Sequence, residues 1–245
     1  MIDTALKTLE ALRAEAKDDE EKQNHRDFGS RLGIHIACYY WSDSFSDEKN
    51  GEAALDRFFS VASNSTRAAL ISQIASIWEK HSEESPDEKI ITKVMRLWER
   101  RFEQITKNIK CGGVSTADFD GELSEFTDWL NCECFPFEWR FTHAKQAIER
   151  LKKAPRSPYH LLKAISEFGI MPSRLNAMLE IFRALLKRQS DELRWSIQFK
   201  DVAPVISLGL SNGNPTTKQL AEECRDLLLR IGFSDFLNLG KEDSK

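Results

Sequence analysis

Glycine and proline are scarce in this chain, with 11 and 7 among 245 residues. A fold of many β-turns needs more of both, so that architecture is disfavoured. Cysteine is scarce too. Five of them, odd in number and without framework spacing, speak against a disulfide scaffold and fit a reducing cytoplasm. No apolar run approaches the roughly 20 residues that span a membrane. The opening "MIDTALKTLEALRAEAKDDEEK" is charged throughout and has no apolar h-region, so a signal peptide is not expected. Phosphate loops are lacking: "CGGVST" at Cys111 to Thr116 has glycines and hydroxyls but neither a Gly-Lys-Ser/Thr ending nor a preceding strand. The five histidines, His25, His35, His81, His143 and His160, fall in no His-Glu-x-x-His or nucleophile signature. His35, between isoleucines, reads as a core or boundary residue. These gaps lead to an expectation of no enzyme activity and no cofactor.

What is present is helix. Apolar residues make up 41% and charged residues 30%, enough to bury a real core in one large domain or two small ones. Apolar residues recur at helical spacing nearly everywhere. The spacing predicts helices over 3–22, 28–41, 52–62, 65–81, 86–108 and 118–132, then from Phe137, from Pro158, over 172–189, over 200–210 and from Pro215. "FPFEWRF" alternates as a strand would, but it is short and runs into helical sequence. Start signals recur as Ser85-Pro86, Ser157-Pro158, Pro172-Ser173 and Asn214-Pro215. Pro204 is placed in a first turn, and Gly232 supplies a stop.

Roughly ten helices joined by short links are too many for one four-helix bundle. The expected fold is all-α, an irregular HEAT-like α-solenoid of antiparallel pairs with degenerate repeats. A hinge is placed at "GVSTAD" near Gly113, between an N-terminal half (1–112) and a C-terminal half (113–245), most simply one continuous helical domain.

A net charge of −4 conceals an asymmetry. Between Glu138 and Ser190, 11 Lys/Arg stand against 4 acids, a local +7. One reading is a solvated helix face. The other is an electrostatic footprint for an acidic or phosphate-bearing partner. Arg150, Lys152, Lys153, Lys187 and Arg188 are placed in the last turns of two helices, where cations also favour the helix dipole. If those helices run in the same sense, the five form one partner-binding ridge. The set Cys111, Cys132, Cys134 and His143 has one Cys-x-Cys pair and no second, so it reads as packing rather than zinc. The six tryptophans read as inter-helix core, although one facing a groove would serve as an anchor.

Several phrases together resemble a known group: "RLWERRFEQI", "EFTDWL", "FPFEWRFTHAKQAI" and "FKDVAPVISLGLSNGNPTTKQLAEECRDLLLRIGFSDFLNL". They resemble the helical C-terminal region of large bacterial anti-phage defence proteins, including ones with a sirtuin-like or NTPase domain upstream. The resemblance runs over roughly Ile90 to Leu239 and carries no catalytic residue. It implies a non-enzymatic sensor or assembly platform, binding a protein such as a separately encoded nuclease, NTPase or NAD-hydrolase. The chain is then a detached platform or a C-terminal piece of something longer. The alternative is a nucleic-acid-binding repeat protein using the basic segment 138–190. No membrane partner is expected.

Overall fold

A computed structural model of the chain describes residues 2–42, 48–80, 87–110, 119–155, 158–188 and 190–239. Among them the chain is all helical, with twelve α-helices, two short 3-10 segments and no strand. Contacts divide it into two compact units, Met1–Glu125 and Phe126–Lys245. The hinge expected at Gly113 lies outside the described residues, as does the Ser85-Pro86 start.

The first unit holds α1 (Ile2–Glu15), α2 (Asp19–Trp41), α3 (Glu48–Val61), α4 (Asn64–Lys80), α5 (Glu88–Lys110) and most of α6 (Asp120–Phe126). The acidic run assigned from sequence to the fraying end of α1 instead opens α2. Asp18 accepts from the Glu21 N–H at 2.8 Å, and Glu21 reaches back to the Asp18 N–H, a complete capping box. That earlier start aligns His25, Gly29, Gly33, Ile36 and Tyr40 on one buried face. Gly29 and Gly33 allow a close approach: a Cβ on Gly33 would stand 2.7 Å from the Phe58 ring, and one on Gly29 2.5 Å from Thr66. α2 thereby packs against α1, α3, α4 and α5. At the start of α5 the Asp87 carboxylate accepts from the Lys89 N–H at 2.9 Å.

The second unit holds α7 (Phe137–Arg150), α8 (Tyr159–Gly169), α9 (Leu175–Leu186), α10 (Asp191–Ser196), α11 (Phe199–Leu210) and α12 (Pro215–Arg230). "FPFEWRF" is helical from Phe137, as its continuation implied. The 118–132 segment is a short α6 followed by a 3-10 segment, Thr127–Asn131, that packs on α7 and α8. α9 is the centre: it packs against α7, α8, α11 and α12 and buries Met178, Leu179, Ile181, Phe182, Leu185 and Leu186. α10 went unread in the sequence because six residues are too few for a periodicity to emerge.

Three start positions in this unit are corrected. α8 begins after Pro158 as the cap residue, and α9 begins at Leu175 with Arg174 as the cap residue, two residues past Pro172-Ser173. α11 begins at Phe199, which puts Pro204 inside the helix rather than in its first turn. The Asp201 N–H there bonds the Gln198 carbonyl at 3.1 Å in a tightened entry turn. α12 starts as read, with Asn214 accepting from the Thr216 and Thr217 N–H groups. It stops at Gly232, whose φ of +101° a side chain would strain.

Candidate docking edge

The basic residues singled out in the sequence lie at the neighbouring ends of α7 and α9. Arg150 is in the last turn of α7, but that helix ends there, so Lys152 and Lys153 lie beyond it. Likewise α9 ends at Leu186, and Lys187 and Arg188 follow it. The last-turn placement is therefore corrected for four of the five. Two ties fix how the helices run. Lys145 pairs with Glu180 at 2.5 Å, and farther along both chains the Arg188 guanidinium donates to the carbonyls of Ile148 (3.2 Å from Nε) and Glu149. α7 and α9 run in the same sense, with their C-terminal ends together.

The five cations do not all face outward. Arg188 is spent on the last carbonyls of α7. Arg150 donates to the Gln146 carbonyl at 2.9 Å, and its guanidinium is partly buried. Lys152, Lys153 and Lys187 are exposed. The edge is thus narrower than the sequence suggested, because two long guanidinium stems fold back onto helix ends.

Beside this edge the structure adds α10, which supplies what sequence reading missed. The Ser190 hydroxyl accepts from the Leu193 N–H at 3.1 Å and starts the helix. A groove of about 540 Å³ is lined by Lys153, Asp191, Glu192, Arg194, Arg230 and Ile231, among others. The Glu192 carboxyl is held below its usual range, first by its own backbone N–H and the Ser190 hydroxyl, with Lys153 adding to the effect. Gly232 leaves room for Arg194, whose Nη2 would lie 3.1 Å from a Cβ there. The next residue, Trp195, is 85% exposed. The tryptophans expected in the core are buried or half-buried with this exception, and no periodicity in so short a helix marks it as outward-facing. Across the α10–α11 turn Phe199 is also exposed, its ring 4.8 Å from Phe236, and Leu237 beside Phe236 is exposed.

The remaining sequence candidates resolve differently. Cys132 is buried and Cys134 half-buried, His143 Nδ1 bonds the Trp139 carbonyl at 2.8 Å, and Cys111 lies outside the described residues. Among the described residues no three His, Cys, Asp or Glu side chains converge as metal ligands. His35, read as a core or boundary residue, is exposed, because it lies on the face of α2 opposite Gly33 and Ile36; His25 is the buried one. Among the described residues no helix is long and apolar enough to cross a membrane. Compared with known protein families, curated proteins and solved structures, the chain matches none.

Proposed function

We propose that the chain is a non-enzymatic helical module whose second unit docks a protein partner on the edge formed by Lys152, Lys153, Lys187, Arg194 and Trp195. The carrying observation is Trp195, 85% exposed next to a groove with charged walls. A free indole in water is costly to keep and is the residue type most often found as an interface anchor. The lysines around it steer an acidic surface toward the site. The partner is accordingly a protein with an acidic rim around an apolar slot.

Nucleic acid is the second reading, and the basic segment supports it. Asp191 and Glu192 weigh against it, since they stand in the wall of the groove where a phosphate backbone would pass. The HEAT-like stacking belongs to the proposal as well. Its support is the common sense of α7 and α9, as between same-position helices of successive repeats. The packing of α9 against four helices is more centred than a simple stack requires. The role in anti-phage defence, with a separately encoded nuclease, NTPase or NAD-hydrolase as partner, follows only from the resemblance of the sequence.

The test compares wild type with Trp195→Ala and with Lys152→Glu/Lys187→Glu in capture from the source cell, with melting temperatures measured in parallel. Both variants should melt within a degree or two of wild type, since the residues are exposed. Capture of one defined protein should fall by roughly 30-fold or more for Trp195→Ala. Undiminished capture by both folded variants would sink the proposal. A DNA or RNA gel shift that collapses with salt and with the lysine reversals would transfer the edge to nucleic acid.

A further inference from the structure

The first unit contains a second feature, independent of the docking edge. A cavity of about 590 Å³ opens between α1, α3, α4 and α5. That volume lies within the roughly 300–1,000 Å³ of small-molecule sites. Its floor is a buried triad. Arg67 donates from Nε to Glu122 Oε1 at 2.6 Å; Arg101 donates from Nε to Oε2 at 2.7 Å and from Nη2 to Oε1 at 2.8 Å. The two arginines are 8% and 5% exposed and Glu122 is fully buried. Two guanidiniums therefore share the Glu122 carboxylate in the floor of the cavity, and Arg67 Nη1 also donates to the Ala62 carbonyl at 2.7 Å.

The second local carboxylate does not close the deficit. Asp56 lines the cavity, but it is held by Arg100 through Nε (3.0 Å) and Nη2 and by Gln104 at 2.6 Å. Burial opposes its ionisation, yet those bonds outweigh it and keep its carboxyl below the usual range. Glu52 is taken by Arg96 and Arg100. At the rim, Arg13 lies with Nη1 over the last carbonyls of α3 and 3.0 Å from that of Val61, and Lys107 is exposed. Floor and lining together thus carry four cations (Arg13, Arg67, Arg101, Lys107) against Asp56 and Glu122. This local +2 among the described residues sits in a unit with 17 Lys/Arg and 24 Asp/Glu, net −7. Arg13 and Lys107 are exposed, so this excess stands at the mouth of the cavity, where an anion can reach it.

The donor count agrees. Arg101 uses Nε, one Nη2 hydrogen on Glu122 and one Nη1 hydrogen on Gln104 Oε1 at 3.2 Å. One hydrogen on each terminal nitrogen meets no acceptor among the described residues. Gln104 cannot turn away, since its amide nitrogen is committed to Asp56. The guanidinium plane is fixed further by Phe59, whose ring centroid lies 4.4 Å from Arg101 Cζ.

We propose that this cavity binds a small phosphate-bearing ligand. Arg101 presents its two remaining N–H groups to phosphate oxygens, and Lys107 and Arg13 close over the anion from the rim. The cavity is larger than a phosphate needs, so Asn108 and the remaining wall are left for an organic portion of nucleotide size.

Calorimetry on the full chain at low salt, with inorganic phosphate, pyrophosphate and ADP as probes, tests this. Saturable one-to-one binding of pyrophosphate or ADP is expected. ADP binding more tightly than pyrophosphate places an organic group in the cavity; equal affinity restricts recognition to phosphate. Lys107→Glu should weaken binding about tenfold or more at an unchanged melting temperature, since Lys107 is exposed. Lys7→Glu, the same charge change on the exposed face of α1, should leave it nearly unaltered. The proposal is overturned if none of the three probes binds, or if Lys7→Glu and Lys107→Glu weaken binding equally.

Discussion

Arg67 Nε stands 2.6 Å from Glu122 Oε1, joining α4 to α6 across 55 residues of sequence. With Arg101 on the other side, Glu122 is the one acid between two buried guanidiniums. Removing it takes away the carboxylate that both guanidiniums share. Glu122→Ala should cost about 3–5 kcal/mol, the range for breaking a buried ion pair from one side. Urea unfolding of the full chain reads this directly. A loss under about 1 kcal/mol would mean that water reaches the guanidiniums and that the site is not sealed.

His25 makes the first unit sensitive to mild acid. Its Nδ1 lies 3.4 Å from the Thr66 hydroxyl, and its Nε2 is buried with no hydrogen-bond partner among the described residues. Burial, and secondarily the charge of Arg13, pushes its pKa below 6.5. In the folded state the ring stays neutral where the unfolded chain already binds a proton. Stability is therefore full above about pH 6.5 and falls as pH drops below it toward the folded pKa. His25→Gln should flatten the melting temperature between pH 7 and pH 5. An unchanged slope would assign the loss to other groups.

Thiol reactivity should follow depth. Burial raises the Cys224 thiol to about 12, and its Sγ donates to the Leu179 carbonyl at 3.5 Å. Cys132 is also buried, whereas Cys38 and Cys134 are half-exposed. In a Cys111→Ser background, an alkylating reagent at pH 8 should modify Cys38 and Cys134 first. Cys224 should react only on unfolding. Labelling of Cys224 as fast as Cys134 in native protein would contradict the packing of α12 on α9.

Helix existence was legible because it rests on neighbours three and four residues apart. Leu220, Ala221, Cys224 and Leu228 repeat at that spacing and are buried, and Asn214 caps them within the same short stretch. Errors gathered where a local signal was weak or had a rival. Asp18 and Glu21 were placed inside a helix over 3–22 rather than as the capping box of the next, which left His25 in the gap before 28. α10 was too short to register, and with it went the outward placement of Trp195.

The amino-acid sequence by itself determined that the chain is helical, where most helices lie, and that positive charge collects after Glu138. Each of these is a property of residues close together along the chain. The tertiary structure alone decided which charges are free. Arg188 is consumed by the end of α7, Lys187 is not, and Arg67 and Arg101 meet Glu122 in the floor of a cavity. Such pairings join residues 21 to 55 positions apart. Periodicity does not encode them, because they depend on how far each helix extends and which faces pack, and those are fixed only when the helices close on one another.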